Sequence, residues 1–239
     1  MKKIHFILMG KGGVGKSLVS SMVAQYLMGK ERNPACFDTD PTNATFAAYK
    51  AFNAVHINIM AGSMNIDGSK FDDLIERIIG HNDDVVVDCG ATSFLPMMAY
   101  FHENRIIDFL KKTGAEVVIH APLVGSDSAE DTLRGLQSIL EFLPTNVLVW
   151  QNEYYGPVQH GGKVFKESQI YSKFKDRLLG TVRIAQRSQD TFGRDMKLMT
   201  TARLTFAEIM LSPEFKTMQR QRLHLVQREI EDQLTAISL

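Results

Sequence analysis

Gly10-Lys11-Gly12-Gly13-Val14-Gly15-Lys16-Ser17 decides how this chain is read. The stretch fits the pattern G-x-x-x-x-G-K-[ST], with an apolar run at 3–9 before it and helical spacing at 16–28 after it. Each part of the pattern has a physical reason. Glycine takes φ > 0 and lets the backbone approach an anion without a Cβ clash. Successive N–H groups then cradle phosphate oxygens, and a helix starting at Lys16 adds the partial positive charge of its N-terminus. Lys16 is placed to meet β- and γ-phosphates, and Ser17 to offer its hydroxyl to Mg2+. Gly10, Lys11, Gly12, Gly13, Val14, Gly15, Lys16, Ser17 and Leu18 form the expected nucleotide-binding stretch. The competing reading is a glycine-rich turn that binds nothing. The full pattern between a strand and a helix sets that reading aside.

The same alternation continues outward from the loop. Further strands are expected at 35–38, 55–59, 85–88, 116–120, 146–150 and 178–184. Helices are expected at 43–49, 71–79, 94–112, 128–142, 205–211 and 214–237. Phe71, Leu74, Ile75, Ile78 and Ile79 share one helical face, as do Leu133, Leu136, Ile139, Leu140 and Leu143. Val85-Val86-Val87 is a continuous apolar run, as in a strand covered on both faces. Residues 152–162 read as a Gly/Pro/aromatic loop. Ser212-Pro213 splits the last two helices, with proline in a first turn, where its missing N–H costs nothing. Strands alternating with helices imply crossover connections. The expected fold is α/β, a doubly wound, mostly parallel sheet with helices on both faces. No repeat or linker interrupts the 239 residues, so one domain over 1–239 is expected, with a C-terminal helical segment at about 205–237.

Composition removes other classes. Hydrophobic residues are 44% and charged residues 23%, which excludes wholesale disorder, collagen-like repeats and a disulfide scaffold. Lys and Arg number 27 and Asp and Glu 27, so a global basic footprint for nucleic acid is missing. Two cysteines, Cys36 and Cys89, suit a reducing compartment and read as small buried strand residues. The apolar run near the start contains His5 and stops at the glycine cluster, which is short for a secretory signal. No run approaches the ~20 residues of a membrane span. A cytoplasmic protein with no membrane anchor is expected. The seven histidines show no metal-ligand spacing.

A phosphate loop needs acid near its cation and near the attacking water. Asp88 ends the Val85–Val87 run, where it is placed to hold Mg2+ directly or through water. The plainer alternative is a carboxylate closing a strand end. Asp38-Thr39-Asp40-Pro41 follows the second strand, and an Asp-Pro turn is its plainer alternative.

Lys11-Gly12-Gly13-Val14-Gly15-Lys16-Ser17 resembles the deviant Walker A motif of the MinD/ParA group of P-loop ATPases. The resemblance implies that Lys11 reaches across a dimer to a partner's nucleotide; a solvated loop lysine is the alternative. Asp38-Thr39-Asp40-Pro41 resembles the group's switch I D-x-D-P motif, and the interval from Lys16 to Asp40 fits the group's spacing. This implies that Asp40 orients or activates the hydrolytic water and that Asp38 supports the Mg2+ water shell. Gly90 fits a switch II N–H that senses the γ-phosphate. Asp88-Cys89-Gly90-Ala91-Thr92-Ser93 departs from the D-x-P-P string common in relatives. Asn152 falls where the group reads adenine, and the missing N-K-x-D and T-K-x-D signatures favour ATP over GTP. Residues 183–187 align with a base-facing loop, with Ala185 where proline is usual. The implied catalytic set is Lys11, Lys16 and Asp40. The implied Mg2+ set is Ser17, Asp38 and Asp88.

The strings at 3–10, 38–46, 83–88, 150–157, 192–195 and 219–223 are similar to TraL-type conjugal-transfer proteins, over almost the whole chain. That resemblance implies a plasmid-encoded ATPase whose Mg-ATP-dependent homodimer acts as a switch or positioning factor in conjugation, with a plasmid-encoded protein partner. A nucleotide-gated structural adaptor with negligible turnover is the alternative. Phe215, Met218, Leu223, Val226, Ile230, Leu234 and Ile237 recur at near-helical spacing in the last helix. Its charges balance, so packing on the domain is expected rather than anionic-lipid binding. Arg183, Arg187, Arg194, Lys197 and Arg203 give only a weak DNA-binding signal beside Asp190 and Asp195.

Overall fold

Short β-branched runs make the centre of the molecule, and helices cover it on both sides. In the computed structural model, which describes residues 1–62 and 65–239, the chain begins β1 (Lys3–Ile7), α1 (Lys16–Gly29), β2 (Ala35–Asp38), β3 (Val55–His56), β4 (Met60–Ala61), β5 (Asn65–Ile66) and α2 (Lys70–Gly80). It continues β6 (Val85–Asp88), α3 (Phe94–Glu103), α4 (Ile106–Lys112), β7 (Glu116–Val124), α5 (Ala129–Phe142), β8 (Asn146–Asn152), β9 (Gln159–His160) and β10 (Lys163–Val164). It closes with α6 (Gln169–Phe174), β11 (Leu178–Ile184), α7 (Arg194–Thr201), α8 (Phe206–Leu211) and α9 (Thr217–Ala236).

Seven strands form one sheet in the order β11-β8-β7-β1-β6-β2-β3, with every neighbouring pair parallel. All their carboxyl ends therefore lie along one edge, where open α/β sheets bind ligands. Alternation along each strand assigns the faces. Ile4, Phe6, Val85, Val87 and Ile119 pack with α2, α3, α4 and α5. Ile7, Val86, Val118, Leu148 and Trp150 pack with α1 and α9. Each such buried side chain contributes about 1.5–3 kcal/mol, so the run 85–87 is apolar because both faces are covered. A small third core, including Met199, Phe206, Phe215 and Leu223, joins α7, α8 and α9.

One polar chain crosses the α1 face of the sheet. Trp150 Nε1 donates to His120 Nδ1 at 2.9 Å. His120 must then carry its proton on Nε2, which lies 2.9 Å from His5 Nδ1. His5 Nε2 is buried with no hydrogen-bond partner among the described residues. Burial pushes His5 down to about 3 and His120 well below its usual value, so both rings are neutral.

The elements depart from expectation where a local contact outcompetes periodicity. The helix expected at 94–112 is two helices, because Arg105 takes a left-handed φ of 50° between them. The helix expected at 43–49 is a turn: Asp38 Oδ2 accepts the Ala47 N–H at 2.9 Å, which a helix would have needed. The strand expected at 55–59 pairs only over Val55–His56, at the sheet edge. The last helix starts at Thr217, so Pro213 lies in the preceding turn and not in its first turn. Strands β7 and β8 run on to Val124 and Asn152. The loop expected at 152–162 begins with a short turn of helix at Glu153–Tyr155 and enters a hairpin at Gln159. Neither α6 nor α7 was expected.

Candidate functional site

The loop between β1 and α1 is shaped by glycine. Gly13 and Gly15 hold left-handed φ values of 74° and 96°. Gly15 is also hemmed in, since a Cβ there would stand 2.8 Å from Asn152 Nδ2. Gly15 caps α1 without a side chain, so no side-chain oxygen takes the first N–H groups of the helix. Lys16 is buried, and its Nζ donates to the Lys11 carbonyl of its own loop at 3.0 Å. Burial holds its ammonium below the usual lysine value, opposed by the charges of Asp88 and Asp40.

Three carboxylates close on this loop from neighbouring strands. Asp38 and Asp88 are register partners at the ends of β2 and β6. Asp88 is 1% exposed, and its Oδ1 accepts the Ser20 hydroxyl at 2.8 Å. Burial, with help from the charge of Asp38, raises its carboxyl to about 7 against Ser17, Ser20 and Lys16. Asp38 is fully buried and accepts the Asp40 N–H at 3.0 Å and the Ala47 N–H at 2.9 Å. Its carboxylate thus folds the segment that carries Asp40, and burial raises its pKa. Asp40 Oδ1 accepts the N–H groups of Thr42 at 2.9 Å and Asn43 at 3.0 Å, an Asx-type turn.

Lys16 and Asp40 line a cleft of about 510 Å3 with Gly12, Gly13, Ser17 and Thr92, among others, while Asp38 and Asp88 are buried outside its lining. A second cavity of about 380 Å3 shares Gly13, Gly15 and Leu18 with it and continues past Asn152, Ile184, Ala185 and Arg187. Asn152 stands between the two as a strut. Its Nδ2 donates to the Val14 carbonyl at 3.1 Å, and its Oδ1 accepts the Tyr154 N–H at 3.2 Å. Gly10 lies under Phe94, whose Cδ1 would be 2.9 Å from an added Cβ. Gly90 lies against Asp40 at the cleft's rim. The Lys11 ammonium pairs with Asp131 of α5, at 2.7 Å.

The donor set suits Mg2+. Ser17 and Asp88 carry hard oxygens, both oxygens of Asp38 already accept backbone N–H groups, and no group of three or more His, Cys, Asp or Glu among the described residues could form a metal cage. Mg2+ is commonly held by one or two carboxylates together with substrate phosphates, which is what this cleft offers.

Several residues of the site escaped the sequence reading. Ser20 falls one helical turn after Lys16, so its place on that face follows from helix spacing alone. Asp131 with Lys11, Glu153 with Arg183, and Glu229 with Arg187 are ion pairs between distant segments and leave no local signal. No helix among the described residues is long and apolar enough to cross a membrane.

Comparison with known proteins agrees with this geometry. Residues 5–201 match the CobQ/CobB/MinD/ParA nucleotide binding domain family. The chain is 42% identical over 241 residues to an Escherichia coli protein named TraL, covering 100% of both chains. It is 40% identical over 236 residues to a second Escherichia coli TraL, covering 98% of each. In fold it is similar to MinD from Pyrococcus horikoshii OT3, solved with Mg-ADP, with a TM-score of 0.54, 17% identity and coverage of 100% and 99%. It is likewise similar to a chain of the Aquifex aeolicus MinC:MinD complex, with a TM-score of 0.54, 14% identity and coverage of 99% and 96%. The chain belongs to the CobQ/CobB/MinD/ParA family of nucleotide-binding domains, with TraL proteins among its relatives.

Proposed function

We propose that this chain binds and hydrolyses Mg-ATP, and that its nucleotide-dependent homodimer serves as a switch or positioning factor in plasmid conjugal transfer. The observation that carries the reading is a cleft lined by Lys16, Ser17 and Asp40 under a left-handed glycine loop, with buried Asp88 close enough for its charge to act on Lys16. The loop N–H groups hold phosphate oxygens. Lys16 exchanges the Lys11 carbonyl for the β/γ-phosphates. Ser17 and Asp88, with Asp38 behind them, would hold Mg2+, which would supply neutralisation of the charge on the phosphates. Asp40 orients the attacking water at the cleft's mouth, and the Gly90 N–H faces the γ-phosphate. The cavity beyond Asn152 takes the adenine.

The similarity to proteins named TraL supports the plasmid-transfer setting, and a cytoplasmic site of action and a plasmid-encoded protein partner are part of the same proposal. The Pyrococcus structure with Mg-ADP supports the choice of ligand. DNA gains little support. Arg183 and Arg187 pair with Glu153 and Glu229, so part of the basic stretch is neutralised within the chain. The packing of α9 on β11 supports one domain over 1–239 rather than a free helical tail.

A second reading, the nucleotide-gated adaptor with negligible turnover, draws on Asp40. One of its carboxylate oxygens is already engaged by two backbone N–H groups. Nucleotide titration with single-turnover hydrolysis separates the two. Lys16→Ala removes a charge-assisted contact worth about 1.5–3 kcal/mol, so ATP affinity falls roughly 10- to 150-fold. Asp40→Ala binds ATP but hydrolyses it more slowly, because its carboxylate acts on water. Undiminished affinity in folded Lys16→Ala overturns the binding site. Tight ATP binding by the wild type with no turnover, with or without a partner, gives the adaptor.

A further inference from the structure

Ser20 has no exposed surface and one hydroxyl proton, with two acceptors in reach. The Lys16 carbonyl, one turn back on α1, is at 3.1 Å, and Asp88 Oδ1, at the end of β6, is at 2.8 Å. A serine inside a helix commonly returns its proton to the carbonyl four residues earlier. Here the Asp88 carboxyl is the nearer acceptor, and its bond becomes charge-assisted once the group is ionised. The backbone of Asp88 is already fixed, because β6 pairs with β1 on one side and β2 on the other. Side-chain rotation remains, including the carboxylate's terminal torsion, which is intrinsically broad. Ser20 restrains it from α1.

We propose that Ser20 is a positioning residue for the Mg-nucleotide site: it pins Asp88 Oδ1, so that the carboxylate keeps its second oxygen turned to the phosphate loop and its cation. The proposal rests on the reading of this cleft as a Mg-ATP site. Ser20 touches neither nucleotide nor metal and acts through Asp88. Groups that orient a metal's ligands typically matter 10- to 100-fold in metal affinity. A serine that merely filled space on α1 would weaken nucleotide binding equally with and without Mg2+.

The test is calorimetric titration of the full chain with ADP, once with excess Mg2+ and once with a chelator. In Ser20→Ala, affinity in chelator stays within about twofold of wild type, while the gain on adding Mg2+ shrinks about 10-fold. Ser20→Cys keeps the volume but is a weak donor, and shows the same loss. In an Asp88→Asn background, Ser20→Ala produces no further loss. A Mg2+ gain that survives both substitutions overturns the proposal, as does an equal weakening with and without Mg2+. Wild-type protein whose ADP affinity ignores Mg2+ would instead overturn the Mg-nucleotide reading of the cleft.

Discussion

A β-carbon added to Gly90 would stand 2.9 Å from Asp40 Cα and 3.0 Å from its Cγ. The loop after β6 and the loop after β2 are therefore in contact at the residue proposed to handle the water. In the proposed mechanism, movement of Gly90 toward a γ-phosphate would be felt by Asp40 directly.

Gly90→Ala tests the contact. The Gly90 φ lies outside the left-handed region, so alanine meets a steric obstacle and not backbone strain. Forcing a methyl against the Asp40 backbone costs about 1–3 kcal/mol and displaces the carboxylate. ATP affinity should change little while hydrolysis slows, since a small misplacement weighs on the chemical step. Comparison of ATP affinity with the single-turnover rate checks this. Wild-type turnover in the variant would mean that the two loops part freely.

Asp88 carries a pH dependence in the nucleotide-free protein. Its folded pKa is raised to about 7 from 3.8, chiefly by burial and then by Asp38. The folded state therefore keeps a proton that the unfolded chain releases. The stability this contributes is full below pH 3.8 and is lost as pH rises through about 7. At 1.36 kcal/mol per pH unit, that interval is worth up to ~4 kcal/mol. Asp88→Asn, neutral at every pH, should gain stability over wild type at pH 8 and show little gain at pH 4.5. Urea unfolding at both values reads the difference; an equal effect at both would reject the buried-proton account.

Much of the centre of the site was legible because its signals are local. Residues 10–17 carry their meaning in adjacent positions, and 85–88 is an apolar run with a carboxylate at its end. Strands β2, β6 and β11 have the bounds expected of them. Contacts between distant segments were not legible. Asp38 draws the Ala47 N–H away from a helix, and Arg105 breaks another with a left-handed turn that no glycine or proline announces. The π-type turn before α7, and the use of α9 as a wall beside Arg187, depend on packing that exists only once the sheet has formed.

The buried histidines set the acid limit. Burial holds His5 near 3 and His120 well below its usual value, against about 6.5 when unfolded. Below pH 6.5 the unfolded chain takes up protons that the folded chain refuses, so stability is present above that value and lost as pH falls toward 3. Asp88 acts with the opposite sign in this window, so the informative quantity is the difference between variants. His5→Phe should lower stability at all pH values by leaving His120 Nε2 unpaired. It should also flatten the pH slope below 6 by about 1.4 kcal/mol per pH unit, one proton's worth. A slope equal to wild type in urea titrations at pH 4.5–6 would show that His5 takes its proton while folded.

Lys11 already has a partner. Its Nζ lies 2.7 Å from Asp131 Oδ2 in the first turn of α5, with both side chains partly exposed, at 40% and 49%. In the proposed dimer the same ammonium must meet the triphosphate bound by the second copy, where it stabilises developing charge. Forming the dimer therefore exchanges one contact for the other in each subunit, and Asp131 competes with the nucleotide across the interface. An exposed pair is a weak competitor, so the bias is modest and grows at low ionic strength. ATP should shift the population to dimer and ADP should not, because ADP lacks the group that needs neutralising. Asp40→Ala should hold the dimer by blocking hydrolysis. In that background Lys11→Ala should abolish the dimer, and Asp131→Asn should tighten it a few-fold. Asp131→Asn should do nothing once Lys11 is alanine, because the competition needs both members. Light scattering with Mg-ATP at two salt concentrations measures all of these. A monomer under ATP, or a dimer indifferent to Lys11, rejects the exchange and returns the chain to the adaptor reading.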